Sequence, residues 1–278
     1  MTAEVRAPVP TRMLRDGHPL PIVGLGTFGL RGAAGVEAVA SALRGGYRLL
    51  DTALRYRNER EVGDGLRASG IPRDEVVVTS KLRGRHHGNA RRGLELTLAG
   101  LGLDRVDLYL IHWPLPALGR YVDTWRTMIE LRDEGLIRSI GVSNFTPKQL
   151  SRLIDETGEV PVVNQVELHP RLPQAAQREF HDLHGIVTSS WSPLGRLHDN
   201  AVIASIARAR SISPAQVVLR WHLQLGAVPI PKSGSPARQA QNLDIVGFEL
   251  SAEDMAAIAS LETGRRLWLS NPDWHYEF

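Results

Sequence analysis

Apolar and polar positions along this chain follow two periods that take turns. Short apolar runs lie near 21–25, 48–51, 76–80, 106–111, 137–142, 161–166, 186–190 and 227–230. Each suits a strand buried on both faces. Between them lie segments with apolar residues at helical spacing, for example 35–45, 121–134 and 146–155. A further helix is expected over 251–261, with Ser251 as cap and Asp254 three residues on. Strands and helices alternating in this number read as an α/β protein, a single (β/α)8 TIM-barrel domain over 1–278 with extra helices. Ahead of it, 11–22 (TRMLRDGHPLPI) carries Asp16-Gly17 between two short runs, a β-hairpin signature.

A barrel places its chemistry at the C-terminal ends of its strands. Asp51, Lys81 and His112 fall there, at the ends of the second, third and fourth runs. Tyr56 lies in the segment after Asp51, and Asn58 opens a helix with Val62 and Leu66 one turn apart. Taken singly, Asp51 reads as a cap, Tyr56 as rim packing and His112 as a satisfied core histidine. Neighbouring strands would bring all four together, and that shifts the balance towards a catalytic cluster.

Composition narrows the classes. The net charge is only +3 and the basic residues are scattered, against the footprint of a nucleic-acid reader. Cysteine is absent, which excludes disulfides and thiol catalysis. No apolar run approaches the roughly 20 residues of a membrane helix, and the N-terminus lacks a signal peptide's apolar core. A cytoplasmic protein is therefore expected, with no nucleic-acid or membrane partner. Of 33 basic residues only Lys81, Lys148 and Lys232 are lysines, so a retained lysine marks a place where a compact ammonium is needed. Gly24, Gly26 and Gly29 spell a literal G-x-G-x-x-G, with Asp51 ending the next strand. In a dinucleotide fingerprint the last glycine opens the helix directly. Here 31–35 intervene, so a glycine-lined loop above a barrel strand is the better reading. His86 and His87 are adjacent and without further ligands, so no metal site is expected.

Six stretches carry a family resemblance: 46–63 (GYRLLDTALRYRNEREVG), 107–114 (DLYLIHWP), 140–145 (IGVSNF), 164–170 (NQVELHP), 192–195 (SPLG) and 230–242 (IPKSGSPARQAQN). In this order the set resembles the aldo-keto reductases over essentially the whole chain. It is most similar to the bacterial subgroup that includes 2,5-diketo-gluconate reductases. The resemblance implies NADPH-dependent reduction of an aldehyde or ketone, with Asp51, Tyr56, Lys81 and His112 as catalytic tetrad. The chemistry is consistent. Free tyrosine is a weak acid at neutral pH. A nearby ammonium favours its phenolate, and Asp51 would hold Lys81 charged. His112 could donate to the carbonyl oxygen.

Hydride has to come from a cofactor. The resemblance places Ser143, Asn144 and Gln165 on the nicotinamide carboxamide and Trp191 against its ring. It places Ser192, Leu194 and Gly195 along the pyrophosphate, with Gly26 and Thr27 beside the cofactor. Lys232, Ser233 and Arg238 fall on the 2′-phosphate, and Gln241 and Asn242 on adenine. Ser235-Pro236 fits a helix start at that phosphate, serine as cap and proline at the first position. Substrate-wall candidates are Phe28, Trp113, Trp268 and Trp274. Arg83 stands where relatives often carry a tryptophan, which would favour carbonyl substrates bearing a carboxylate. The loop after Gly195 is short, so a cofactor strap would be reduced. The partner expected is a small carbonyl compound, with the chain a monomer. Two rivals remain: a Rossmann-type reductase and a nicotinamide-nucleotide-sensing subunit without turnover. No tyrosine has a lysine four residues later, which removes the short-chain version of the first.

Overall fold

The computed structural model describes residues 9–268 and 271–275. It opens with the expected hairpin: β1 (Thr11–Met13) pairs antiparallel with β2 (Pro19–Pro21). Gly17 turns the chain at a φ of 84°, a left-handed value glycine adopts without strain. Leu14 and Leu20 are buried in one cluster with Leu49, Val163, Val187 and Val228. Each of those four begins its own strand. The hairpin therefore plugs the N-terminal mouth of the sheet and leaves the C-terminal mouth open.

Eight parallel strands follow, and each neighbours the next in the chain. They are β3 (Leu25–Gly26), β4 (Leu49–Asp51), β5 (Val77–Leu82), β6 (Val106–Ile111), β7 (Ile137–Ser143), β8 (Val163–Glu167), β9 (Val187–Trp191) and β10 (Val228–Pro229). The ends of the sheet meet: the Gly24 N–H donates to the Pro229 carbonyl (3.1 Å) and the Gly26 N–H to that of Pro231 (3.0 Å). This seam explains the glycines. A Cβ on Gly24 would lie 2.7 Å from the Leu49 side chain and 2.8 Å from that of Ile230. The G-x-G pattern thus serves close packing of the first strand on its neighbours. A strand order without reversal also has no switch point, which removes the Rossmann-type reading.

Ten α-helices occur among the described residues: α1 (Gly32–Arg44), α2 (Glu59–Ser69), α3 (Ala90–Leu101), α4 (Tyr121–Asp133), α5 (Pro147–Thr157), α6 (Ala175–His184), α7 (Ala201–Ala209), α8 (Pro214–Gln224), α9 (Pro236–Leu243) and α10 (Ala252–Ala259). Most inward helix faces meet the outer faces of the strands in one large cluster that includes Val39, Leu66, Tyr109, Trp125 and Leu153, while α7, α8 and α10 contribute Ile203, Val217 and Ile258 to a second. Local signals set the boundaries. Ser251 and Asp254 form the expected reciprocal cap of α10, and Thr146 with Gln149 does the same for α5.

Two expectations shift. The run at 21–25 is not one strand, because Pro21 pairs in the hairpin and β3 holds only Leu25 and Gly26. α1 begins at Gly32, so only Leu30 and Arg31 separate it from Gly29, fewer residues than the sequence reading allowed. Among the described residues no helix is long and apolar enough to cross a membrane, and no group of metal-binding side chains occurs.

Candidate active site

The open mouth holds a cleft of about 550 Å³. Its floor is built at the ends of adjacent strands. Asp51 ends β4 and Lys81 lies one residue from the end of β5, both buried. Lys81 Nζ donates to Asp51 Oδ1 at 2.5 Å and to the Thr52 carbonyl at 3.0 Å. Asp51 Oδ2 accepts from Gln165 Nε2 of β8 at 2.7 Å, so the carboxylate ties β4 to strands on both sides of the mouth. Tyr56 ends a short turn of 3₁₀ helix, Leu54–Tyr56, and its hydroxyl is hydrogen-bonded to Lys81. Burial pulls the Lys81 ammonium pKa down. The Asp51 carboxylate and the Tyr56 oxygen outweigh this and hold the group above its ordinary value.

His112 directly follows β6, and its ring meets the Tyr56 ring edge-on at 5.9 Å. Phe28 meets the other side of Tyr56 at 5.1 Å. Asn58, buried beside α2, fixes the turn that carries Tyr56. Its amide donates to the Thr27 (2.7 Å) and Leu30 (2.9 Å) carbonyls, and its side-chain oxygen accepts from Thr52 Oγ1 (3.1 Å). The next residue, Glu59, accepts from Ser80 Oγ on β5 at 2.6 Å. Burial pushes its carboxyl up to about 7, against the smaller lowering effects of its hydrogen bonds and of Lys81.

A second group lines the wall opposite Tyr56. Asn144 donates to the His112 carbonyl (3.0 Å) and accepts from Trp191 Nε1 (2.9 Å), which orients the indole at the end of β9. Ser143 Oγ donates to the Gln165 carbonyl at 2.7 Å. Gly26 and Thr27 border the cleft, as do Ser192, Leu194, Gly195 and Lys232. Seven described non-glycine residues have positive φ, and Arg57, Asn144, Ser192 and Arg196 among them flank this mouth. Unfavourable backbone concentrated there is a mark of a functional site.

The remaining candidates divide. Phe28, Trp113 and Trp268 line the cleft, and Trp113 stacks on His275 at 3.8 Å. Trp274 and Arg83 are not among the lining residues. Arg83 is instead buried at the head of the Gly84–His86 turn. Ser233 and Asn242 are buried behind the mouth. Lys232 and Arg238 are exposed around the start of α9, and Gln241 is exposed in its last turn. Ser235 occupies the cap position of α9, but its side chain caps nothing. The Ser233 hydroxyl takes the Ser235 N–H instead (3.1 Å). Pro193, Arg196, Ile230, Pro231 and Leu267 also line the cleft and were not foreseen. Four of them adjoin or belong to quoted motifs, but Leu267 carried no signal.

The arrangement also fits a phosphorylated cofactor. Among the described residues, Lys232 and Arg238 have no ion-pair partner, and the first turn of α9 beside them has no side-chain cap. Two cations unpaired among the described residues and open backbone N–H groups suit an anion.

Comparison with known proteins agrees with this geometry. The Aldo/keto reductase family model matches residues 23–263. A 2,5-diketo-D-gluconic acid reductase B of Corynebacterium sp. (strain SHS752001) is 55% identical over 97% of this chain and 99% of its own. The methylglyoxal reductase DkgA of Escherichia coli (strain K12) is 45% identical over 91% of this chain and 94% of its own. A crystal structure of a Bombyx mori aldo-keto reductase in complex with NADP superposes with a TM-score of 0.89. It is 34% identical and covers 97% of either chain. The chain belongs to the aldo/keto reductase family.

Proposed function

We propose that this chain reduces a small aldehyde or ketone to the alcohol with NADPH, and that Tyr56 delivers the proton. The observation that carries this reading is the Asp51–Lys81–Tyr56 chain of hydrogen bonds opening into a cleft beside His112. NADPH, when bound, supplies the hydride. Trp191, Ser143, Asn144 and Gln165 would hold its nicotinamide end, Ser192, Leu194 and Gly195 its pyrophosphate, and Lys232, Ser233 and Arg238 its 2′-phosphate.

The residues of the chain do the rest. His112 directs the carbonyl oxygen towards the phenol by donating a hydrogen bond. Tyr56 gives its proton to that oxygen as negative charge develops there. The phenolate left behind faces the Lys81 ammonium, which burial in the barrel floor leaves unscreened by water. Asp51 keeps the ammonium fixed, so little reorganisation is needed when the charge appears. Phe28, Trp113 and Trp268 supply apolar walls that exclude water from the reacting centre.

Relatives named for a diketo sugar acid and for methylglyoxal support a small oxygen-rich carbonyl compound as the substrate. The same reading makes it a cytoplasmic, single-domain monomer, which light scattering and fractionation check. The decisive experiment follows NADPH consumption over a panel of carbonyl compounds with wild type and Tyr56→Phe. Wild type turns over. Tyr56→Phe loses at least about a hundredfold in turnover and keeps its cofactor affinity, measured by fluorescence quenching. A wild type that binds NADPH but reduces nothing would favour the sensing role. Retention of a tenth of the turnover by Tyr56→Phe would remove it as proton donor.

A further inference from the structure

The wall of the cleft is completed by the C-terminal segment, and a buried carboxylate on β8 holds it there. Glu167 is fully buried at the end of β8, the strand that also carries Gln165. Its Oε1 accepts the backbone N–H of Leu267 at 2.5 Å, and Arg266 reaches Oε2 at 3.5 Å. A second tie lies just before: the N–H groups of Thr263 (3.1 Å) and Gly264 (3.0 Å) both donate to the Arg171 carbonyl. The residues thus delivered, Leu267 and Trp268, line the cleft.

The same carboxylate supports the cofactor side. His169 Nε2 sits 3.3 Å from Glu167 Oε1. The His169 side chain lies directly under Gly195, where a Cβ would come within 2.8 Å of the His169 Cβ and 3.1 Å of its ring. The next residue, Arg196, carries its guanidinium 5.0 Å from the centre of the Trp268 ring. The loop after β9 and the C-terminal segment therefore rest on one buried pair, Glu167 and His169, and touch each other above it through a cation–π contact.

We propose that Glu167 is a positioning residue that latches Leu267 and Trp268 onto the cleft and so sets selectivity for extended over short carbonyl substrates. The inference rests on the carbonyl-reductase reading above. Tyr56 and His112 form the floor. A two- or three-carbon carbonyl compound fits over that floor alone, whereas a longer one has to meet the wall that the latch holds in place. A buried carboxylate that accepts a backbone N–H and a guanidinium gives a fixed wall, because both partners would be lost together if the segment lifted.

The test compares kcat/KM for a six-carbon and a three-carbon carbonyl compound, with NADPH affinity and thermal unfolding measured on the same samples. Glu167→Gln lowers the six-to-three-carbon ratio, taken at saturating NADPH, by about tenfold; any loss of NADPH affinity through His169 and Gly195 falls on both substrates alike. Trp268→Ala lowers the ratio similarly. In the Trp268→Ala background, adding Glu167→Gln changes it little, because both substitutions act on one wall. Arg266→Ala, on a side chain that reaches solvent, shifts the ratio in the same direction and serves should Glu167→Gln fail to fold. An unchanged ratio in the folded variants, or full additivity in the double variant, overturns the latch. Wild type inert towards both compounds would overturn the reductase reading instead, so the two failures are distinct.

Discussion

Lys81 shows how much one residue type can decide. Its side chain is fully enclosed, with Asp51, Thr52 and Tyr56 around Nζ. A planar guanidinium is larger and presents its donors in a fork. Lys81→Arg is therefore expected to cost at least about a hundredfold in turnover. A variant keeping most of its turnover would show that charge alone suffices there. Lys148, by contrast, is exposed on α5. Of the three lysines, Lys81 is enclosed in the barrel floor and Lys232 borders the cleft. Glu59 gave no signal in the sequence, since an acid in the first turn of a helix is ordinary. Only the fold buries it against Ser80. Its folded-state pKa, pushed up to about 7 by burial, lies above that of the unfolded chain. The folded carboxyl therefore holds its proton more tightly, and this contribution is lost as pH rises through about 7, to the extent of roughly 3 kcal/mol. Glu59→Gln should gain stability over wild type at pH 8 and show little gain at pH 5. Equal denaturant midpoint shifts at both pH values would contradict the burial argument.

At the scale of an element, the proposed preference for NADPH rests on α9. The helix offers an uncapped first turn, with Lys232 and Arg238 exposed beside it and unpaired among the described residues. A dianionic 2′-phosphate gains charge-assisted contacts of about 1.5–3 kcal/mol each there, while a ribose hydroxyl gains little. Arg238→Ala should raise the NADPH dissociation constant at least about tenfold and leave that for NADH nearly unchanged, by fluorescence titration. Equal weakening of both would show that the loop does not read the phosphate. The sequence located this helix start from Ser235-Pro236. Ser235 holds the cap position as read, but its side chain makes no cap bond, and Ser233 folds back to take the Ser235 N–H, which only the loop conformation decides.

At the scale of the whole molecule, two buried imidazoles are expected to contribute to the response to acid. His181 on α6 bonds Asn164 (3.0 Å) and Thr188 (2.8 Å), linking two strands. His222 on α8 bonds Ser190 and the Pro193 carbonyl, both at 3.0 Å, beneath the loop that borders the cleft. Burial pushes each down to about 3. In the unfolded chain both take protons near 6.5. Stability is therefore present above about 6.5 and lost as pH falls from there towards 3, with a limiting slope of about 2.7 kcal/mol per pH step for two protons. Glu59 takes up its proton over the same range in the folded state and offsets part of this, so in the Glu59→Gln background urea midpoints should fall between pH 7 and pH 5, and His222→Gln should remove about half of that dependence. An unchanged slope would mean that His222 does not carry it.

What the sequence determined by itself was the element order and the strand ends. Apolar runs of strand length alternating with amphipathic helices admit few folds, and a parallel barrel forces Asp51, Lys81 and His112 to one mouth. Those readings rest on local periodicity and on caps, which need no long-range partner. Contacts across many residues decided the rest. The seam between Gly24 and Pro229, the removal of Arg83 from the cleft and the seating of Leu267 on Glu167 join positions far apart in the chain. No local pattern encodes them, because each depends on which backbone groups remain unpaired once the barrel has closed.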